Sequence, residues 1–191
     1  IWISTIYSEN DVYGQIYDAD GNRVGDEFQV NTNSTNNKYD PFITALDGGG
    51  FVISWQSYGD GDGDGTFAQM YNTDGSVNGS EFQVNTETQS NQNNPSITAL
   101  DDGGFVITWM TEGQNSYSSI EGIYAQMYDA DGNRVGDEFQ VNDTYTSGFT
   151  HKYFSPSITT LDGGGFAIIW SSWHDGIGDG IYAQIYDADG N

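Results

Sequence analysis

The chain has 191 residues and no cysteine, and 28 acidic side chains against 4 basic ones give a formal charge of −24. A surface this negative repels nucleic-acid phosphates and anionic headgroups before contact, no apolar run approaches the roughly 18 residues of a spanning helix, and disulfide and zinc-thiolate chemistry are ruled out. With 15% aromatic and 36% apolar residues, the chain carries enough apolar surface for one folded domain with a core.

In chain order, the first run ends at Ile1-Trp2, and a second, Tyr13-Gly-Gln-Ile-Tyr17, leads into the turn Asp18-Ala-Asp20-Gly21. Glu27-Phe-Gln-Val-Asn31 follows, then a polar loop, and Pro41 opens the next segment, Ile43-Thr-Ala-Leu-Asp47. A glycine turn precedes Phe51-Val-Ile-Ser-Trp55, after which the acidic loop Asp60-Gly-Asp62-Gly-Asp64-Gly65 leads to Phe67-Ala-Gln-Met-Tyr71. The pattern then starts again. Tyr13–Tyr17 recurs at Phe67–Tyr71, Tyr124–Tyr128 and Tyr182–Tyr186, spaced 54, 57 and 58 residues apart. Phe51–Trp55 recurs at Phe105–Trp109 and Phe166–Trp170, and Pro41 at Pro95 and Pro156.

Each full copy reads as four runs of about five to eight residues, rich in β-branched and aromatic side chains and separated by Gly, Asp and Asn, which is the signature of strands and tight turns. Proline at one fixed place in the copy marks a strand start. In Tyr124–Tyr128, alternation puts Tyr124, Gln126 and Tyr128 on one face and Ala125 and Met127 on the other, so neither face is polar and both must be covered. Four-stranded antiparallel meanders packed face to face predict an all-β, β-propeller-like array. The expected units of this single repeat domain are 1–33 (partial), 34–87, 88–144 and 145–191 (partial), with 3 + 4 + 4 + 3 strands. The incomplete end units predict a slice of a longer repeat protein or a processed product, whose open edges invite pairing with another chain.

The string Gly103-Gly-Phe-Val-Ile-Thr-Trp109, then Gly122-Ile-Tyr-Ala-Gln-Met-Tyr-Asp-Ala-Asp-Gly-Asn133, then Gly136-Asp-Glu-Phe-Gln-Val-Asn142 resembles repeats of very large bacterial secreted or surface proteins. Such proteins often also carry hemolysin-type (RTX) calcium-binding repeats and adhesin-like modules. The resemblance spans nearly the whole chain and implies export, to the cell surface or beyond, into a calcium-rich setting. The glycine-rich tandem nonapeptide of RTX repeats is not present.

Three sets of residues are candidates for chemistry. In the loop before the third run of a unit, Asp60, Asp62 and Asp64 are matched by Asp175 and Asp179 in the last unit and by Glu121 in the third. Carboxylates alternating with glycine can turn several oxygens to one Ca²⁺; a solvated acidic loop is the plain alternative. The turns containing Asp18 and Asp20, Asp129 and Asp131, and Asp187 and Asp189 are a second possible metal set, although Asp-x-Asp-Gly closes a hairpin without any ligand. Arg23 and Arg134, just after two of these turns, are expected to pair with Asp26 and Glu27 or with Asp137 and Glu138. The recurrent Trp2, Trp55, Trp109 and Trp170 are expected to fill the space between units. Tyr58, Tyr117 and Trp173 lie outside that pattern and are the candidates for stacking on sugars.

His151 and His174 have no copies in other units, so a serine–histidine–aspartate arrangement has little support. A glycosidase needs only two carboxylates, and nothing in the repeat singles out a pair. The sequence therefore predicts a non-enzymatic, calcium-binding extracellular module with a structural or adhesive role. A lectin-like propeller is the alternative, followed by a polysaccharide-active enzyme. The expected partners are calcium, cell-surface glycans and further copies of the chain.

Overall fold

The computed structural model describes residues 1–6, 9–112, 121–142, 152–173 and 180–191. These residues form fourteen strands in four antiparallel sheets. Sheet 1 holds β1 (Trp2–Ile6), β2 (Glu9–Tyr17) and β3 (Arg23–Gln29); sheet 2 holds β4 (Lys38–Ala45), β5 (Phe51–Tyr58), β6 (Asp64–Tyr71) and β7 (Val77–Gln83). Sheet 3 holds β8 (Gln92–Ala99), β9 (Phe105–Glu112), β10 (Glu121–Tyr128) and β11 (Arg134–Gln140), and sheet 4 holds β12 (Lys152–Thr160), β13 (Phe166–Trp173) and β14 (Gly180–Tyr186). Strand order within each sheet follows the chain. β8 lies against both β4 and β12, which places the first strands of sheets 2 to 4 together at the centre. The fold is propeller-like and the ring is not closed. No helix among the described residues is long and apolar enough to cross a membrane.

The repeated motifs each have a structural task. In Asp18–Asn22, the Asp18 Oδ1 accepts the N–H of Asp20 (3.0 Å) and of Asn22 (2.8 Å), and the Gly21 N–H returns to the Asp18 carbonyl with Gly21 at φ +82°. This aspartate-closed turn recurs at Asp129 and Asp187. The glutamine of the third run stitches a bulge: Gln126 Nε2 donates to the carbonyls of Met127, Val135 and Gly136, beside the register shift between Ala125 and Met127, with Gly136 at φ +68°. Gln15 and Gln69 do the same in sheets 1 and 2.

Asn31, Asn85 and Asn142 fasten the last strand of a sheet to the start of its third run. Their Oδ1 atoms accept the N–H of Val12 (2.8 Å), Thr66 (2.9 Å) and Ile123 (2.6 Å). Meanwhile Val30, Val84 and Val141 donate their own N–H groups to the carbonyls of those same three residues.

The core is made between sheets. Val106, Met110, Ile123, Ala125 and Met127 of sheet 3 pack against Ile158, Phe166, Ile168 and Trp170 of sheet 4. Val52, Ala68 and Met70 of sheet 2 pack likewise against Phe105, Ile107, Trp109, Tyr124 and Tyr128 of sheet 3. A ring from the last strand of one sheet meets a tyrosine of the next at each junction: Phe28–Tyr71 at 5.4 Å, Phe82–Tyr128 at 5.3 Å and Phe139–Tyr186 at 5.3 Å. Trp55 and Trp109 are fully buried and Trp170 nearly so, while Trp2 is 37% exposed. Trp55, Trp109 and Trp170 therefore fill the space between sheets.

Arg134, read from the sequence as a partner of Asp137 or Glu138, donates Nη2 to the main-chain carbonyls of Gln83 and Val84, one sheet back. Glu138 Oε2 accepts the N–H of Thr86, as Glu81 accepts that of Thr32. Alternation in β11 puts positions 134 and 138 on one face, where carbonyls and N–H groups at the end of the preceding sheet are open to them.

Candidate functional site

The start of β2, the loop entering β4 and the β5–β6 hairpin meet at one end of sheets 1 and 2, and there they line a polar cavity of about 340 Å³. Glu9, Asn36, Asn37, Tyr39, Tyr58 and Asp64 line it. Glu9 opens β2 and Asp64 opens β6; Tyr58 closes β5 directly across the hairpin from Asp64. Tyr39 is the second residue of β4, so when Lys38 turns inward Tyr39 turns out. Both rings are open to solvent, Tyr58 at 59% and Tyr39 at 38% exposure.

The walls are fixed by hydrogen bonds. Asn36 sits at φ +69°, a conformation asparagine tolerates, and its Nδ2 donates to the Tyr58 carbonyl (3.0 Å). Asn37 Oδ1 accepts the N–H of Asn10 (2.9 Å), tying the start of β2 to the same loop. Asp64 Oδ2 accepts from Gln56 Nε2 (2.8 Å), and its N–H donates to Asn91 Oδ1 (3.1 Å). Beneath the cavity Lys38, 1% exposed, caps the carbonyls of Thr35 and Asn36 with its Nζ, both at 2.8 Å. Burial pushes its pKa down, and the nearby carboxylates Asp11, Glu81 and Glu9 oppose that shift.

One sheet further on, the equivalent place is built differently. Gln92 stands for Lys38, Asn93 for Tyr39 and Glu112 for Tyr58, and Glu112 Oε2 is held by Asn91 Nδ2 at 2.8 Å. The pairing of two exposed tyrosines with two carboxylates in the crevice between sheets 1 and 2 is thus not repeated between sheets 2 and 3. A second cavity between these sheets, about 370 Å³, is lined by Ile1, Ile16, Phe28, Ile43 and Phe51 among others and by no charged side chain.

The acidic residues expected to hold calcium are dispersed. Asp60 and Asp64 have different partners: the Asp60 Oδ2 accepts from Asn85 Nδ2 at 3.1 Å, while Asp64 Oδ2 accepts from Gln56 and lines the cavity. In sheet 1 the matching asparagine, Asn31, is held by Asp11 at 2.7 Å. Sheet 2 has Gly65 at the position of Asp11, and a Cβ there would lie 2.6 Å from the Asp60 Cβ; Asp60 folds back into the room the glycine leaves. Asp62 is exposed. Asp18, Asp129 and Asp187 are spent on their own turns, with Asp20, Asp131 and Asp189 exposed beside them. Asp175, Asp179 and Tyr117 lie outside the described residues, as do the side chains of Glu121 and Trp173. Among the described residues no three acidic or histidine side chains gather around one point.

Titration separates these carboxylates. Bonds from Asn22, Asn133 and Ser76, side chain first, hold Asp18, Asp129 and Asp74 below the ordinary value of 3.8, and the Asn191 N–H leads in doing so for Asp187. Their stabilisation is complete above pH 3.8 and is lost as pH falls through the depressed folded values. Asp60 runs the other way: burial raises it, against the bond from Asn85. The folded state then binds this proton more tightly than the unfolded chain, so the contribution of Asp60 to stability grows as pH falls through its raised folded value towards 3.8. The stability of the wild type relative to Asp60→Asn, measured by urea unfolding, is expected to increase between neutral pH and that range. A constant difference would show Asp60 to be as well solvated in the fold as out of it.

No protein-family model matches the sequence, and no curated protein matches it. Solved structures share the fold. An N-acetylgalactosamine deacetylase from F. plautii, in complex with blood group B trisaccharide, is 10% identical with a TM-score of 0.54 over 84% of this chain and 52% of its own. An alpha-L-arabinofuranosidase from Lactobacillus brevis is 12% identical with a TM-score of 0.52 over 98% and 72%. An endo-arabinase from Bacteroides thetaiotaomicron is 12% identical with a TM-score of 0.50 over 96% and 72%. The expectation of a non-enzymatic module with a structural or adhesive role is contradicted by this comparison, since these three structures that share the fold are carbohydrate-active enzymes. It had rested on the abundance of Asp-Gly loops; of their carboxylates the turns and the Asn85 clasp hold Asp18, Asp129, Asp187 and Asp60, while Asp20, Asp62, Asp131 and Asp189 stay exposed.

Proposed function

We propose that the chain is a carbohydrate-active propeller that takes a sugar in the crevice between sheets 1 and 2 and cleaves a glycosidic bond there. One observation carries this reading: Tyr39, Tyr58, Glu9 and Asp64 line the same cavity. Exposed tyrosine rings offer flat apolar faces to the C–H side of a sugar and a hydroxyl to its polar edge. Two carboxylates across one cavity are the minimum for glycoside hydrolysis: one protonates the leaving oxygen, the other activates water or attacks the sugar. Asn36 and Asn37 bring amide groups to the rim. The fold shared with enzymes that act on glycans supports the assignment.

The test is release of reducing ends from a panel of plant and host polysaccharides, with binding measured in parallel on a glycan array. Glu9→Gln and Asp64→Asn are each expected to abolish release while leaving circular dichroism unchanged. Tyr58→Ala is expected to weaken binding about tenfold, equivalent to about 1.4 kcal/mol. Binding without release would remove the hydrolytic step; neither binding nor release across the panel would overturn the proposal.

A further inference from the structure

The two end sheets carry complementary halves of the contact that the chain makes three times internally. On sheet 3, the face turned towards sheet 4 holds Ile123 at 0%, Ala125 at 0% and Met127 at 7% exposure. The same register positions on sheet 4 are Ile181, Ala183 and Ile185, and here Ile181 is 78% and Ile185 64% exposed, with Ile169 beside them at 46%. Conversely, the face of sheet 3 turned towards sheet 2 holds Trp109, Tyr124 and Tyr128, all buried. Its counterpart on sheet 1 is Trp2, stacked on Tyr13 at 6.4 Å, with Tyr17 further along; Trp2 is 37% and Tyr17 55% exposed.

We propose that the chain associates head to tail with a second copy of itself, the isoleucine face of sheet 4 receiving the tryptophan–tyrosine face of sheet 1. The chain shows which surface covers each face. The face at these positions of sheet 3 (Ile123, Ala125, Met127) and of sheet 2 (Ala68, Met70) in each case meets the aromatic face of the next sheet, and a second copy brings such a face already folded. Contiguous apolar faces of this kind mark association sites. Because the two faces differ, the contact is heterologous, and each copy keeps one face open for the next. The charge of −24 on each copy opposes the approach, so salt should strengthen assembly.

Analytical ultracentrifugation over a concentration series is expected to show association that increases with added salt. The double variant Ile181→Glu/Ile185→Glu removes one face and Trp2→Glu/Tyr17→Glu the other. All four side chains are solvent-facing, and circular dichroism confirms that the variants fold. Each variant alone is expected to be monomeric, whereas an equimolar mixture forms a dimer with one of each and nothing larger. Three results would overturn the proposal: a wild type that stays monomeric at every concentration and salt level, single-face variants that still self-associate through their strand edges, or a mixture that does not pair.

Discussion

Replacing Trp109 by alanine is expected to cost about 3–5 kcal/mol of stability, while the same change at Trp2 costs about 1 kcal/mol or less. The two residues occupy one position of the repeat, each paired with a tyrosine of the neighbouring strand, Trp109 with Tyr124 at 6.5 Å and Trp2 with Tyr13 at 6.4 Å. What differs is cover. Trp109 is fully buried in a cluster to which sheet 2 contributes Val52, Ala68, Met70 and Val84. Its loss opens a cavity that these side chains, anchored in paired strands, cannot collapse to fill. Trp2 already faces solvent over a third of its surface. Urea unfolding followed by far-ultraviolet circular dichroism measures both. Equal costs would mean that the contacts within a sheet, and not those between sheets, hold the tryptophans.

Asn85→Ala is expected to be nearly as damaging, at roughly 3 kcal/mol or more, since each buried polar group left without a partner costs about 1–3 kcal/mol. The Asn85 Oδ1 accepts the N–H of Thr66, and its Nδ2 reaches Asp60, the Glu87 carbonyl (2.7 Å) and Gln92 Oε1 (2.9 Å). Thr66 and Gln92 are fully buried, so water does not replace the lost amide. Asn85→Asp is the sharper variant. It keeps an oxygen for Thr66 but sets a second carboxylate against Asp60, so it should be strongly destabilised at neutral pH and recover in acid, where either carboxyl can carry a proton. A variant whose deficit does not depend on pH would show that Asp60 is not its partner.

The fold was largely legible because each unit meets the same surroundings. A tryptophan or Tyr-Ala-Gln-x-Tyr run recurring at fixed offsets must sit against the same kind of neighbour each time, and strand order, turns and the four-sheet division follow from that. The site breaks the repetition and was only half visible. Tyr58 and Asp64 stood out separately, one as a sugar platform and one as a metal ligand; their position opposite each other across one hairpin joins them. Glu9, Asn36, Asn37 and Tyr39 were missed because they come from sheet 1, from the loop entering β4 and from β4 itself, and no local pattern links them. The one available signal was departure from the repeat: Lys38 and Tyr39 replace the Gln92 and Asn93 of the next unit. Counting acidic residues does not tell which of them are free, for a related reason. Whether a carboxylate faces outward or caps its own turn depends on a few neighbouring N–H groups, and for Asp60 on a glycine five residues away.

Residues 18–31 and 129–142 are identical, so β3 and β11 are interchangeable as partners for β2 or β10. Side-chain complementarity cannot tell the right pairing from the wrong one. The discrimination is entropic: a five-residue turn joins β2 to β3, whereas the wrong partner lies more than a hundred residues away, and closing the short loop is both cheaper and faster. The compact Asp-x-Asp-Gly-Asn turn is thus the proofreading element of the assembly. Lengthening it would leave the contacts between strands intact while lessening the advantage by which the nascent chain, emerging one sheet at a time, pairs each strand with its own neighbour before its double is made.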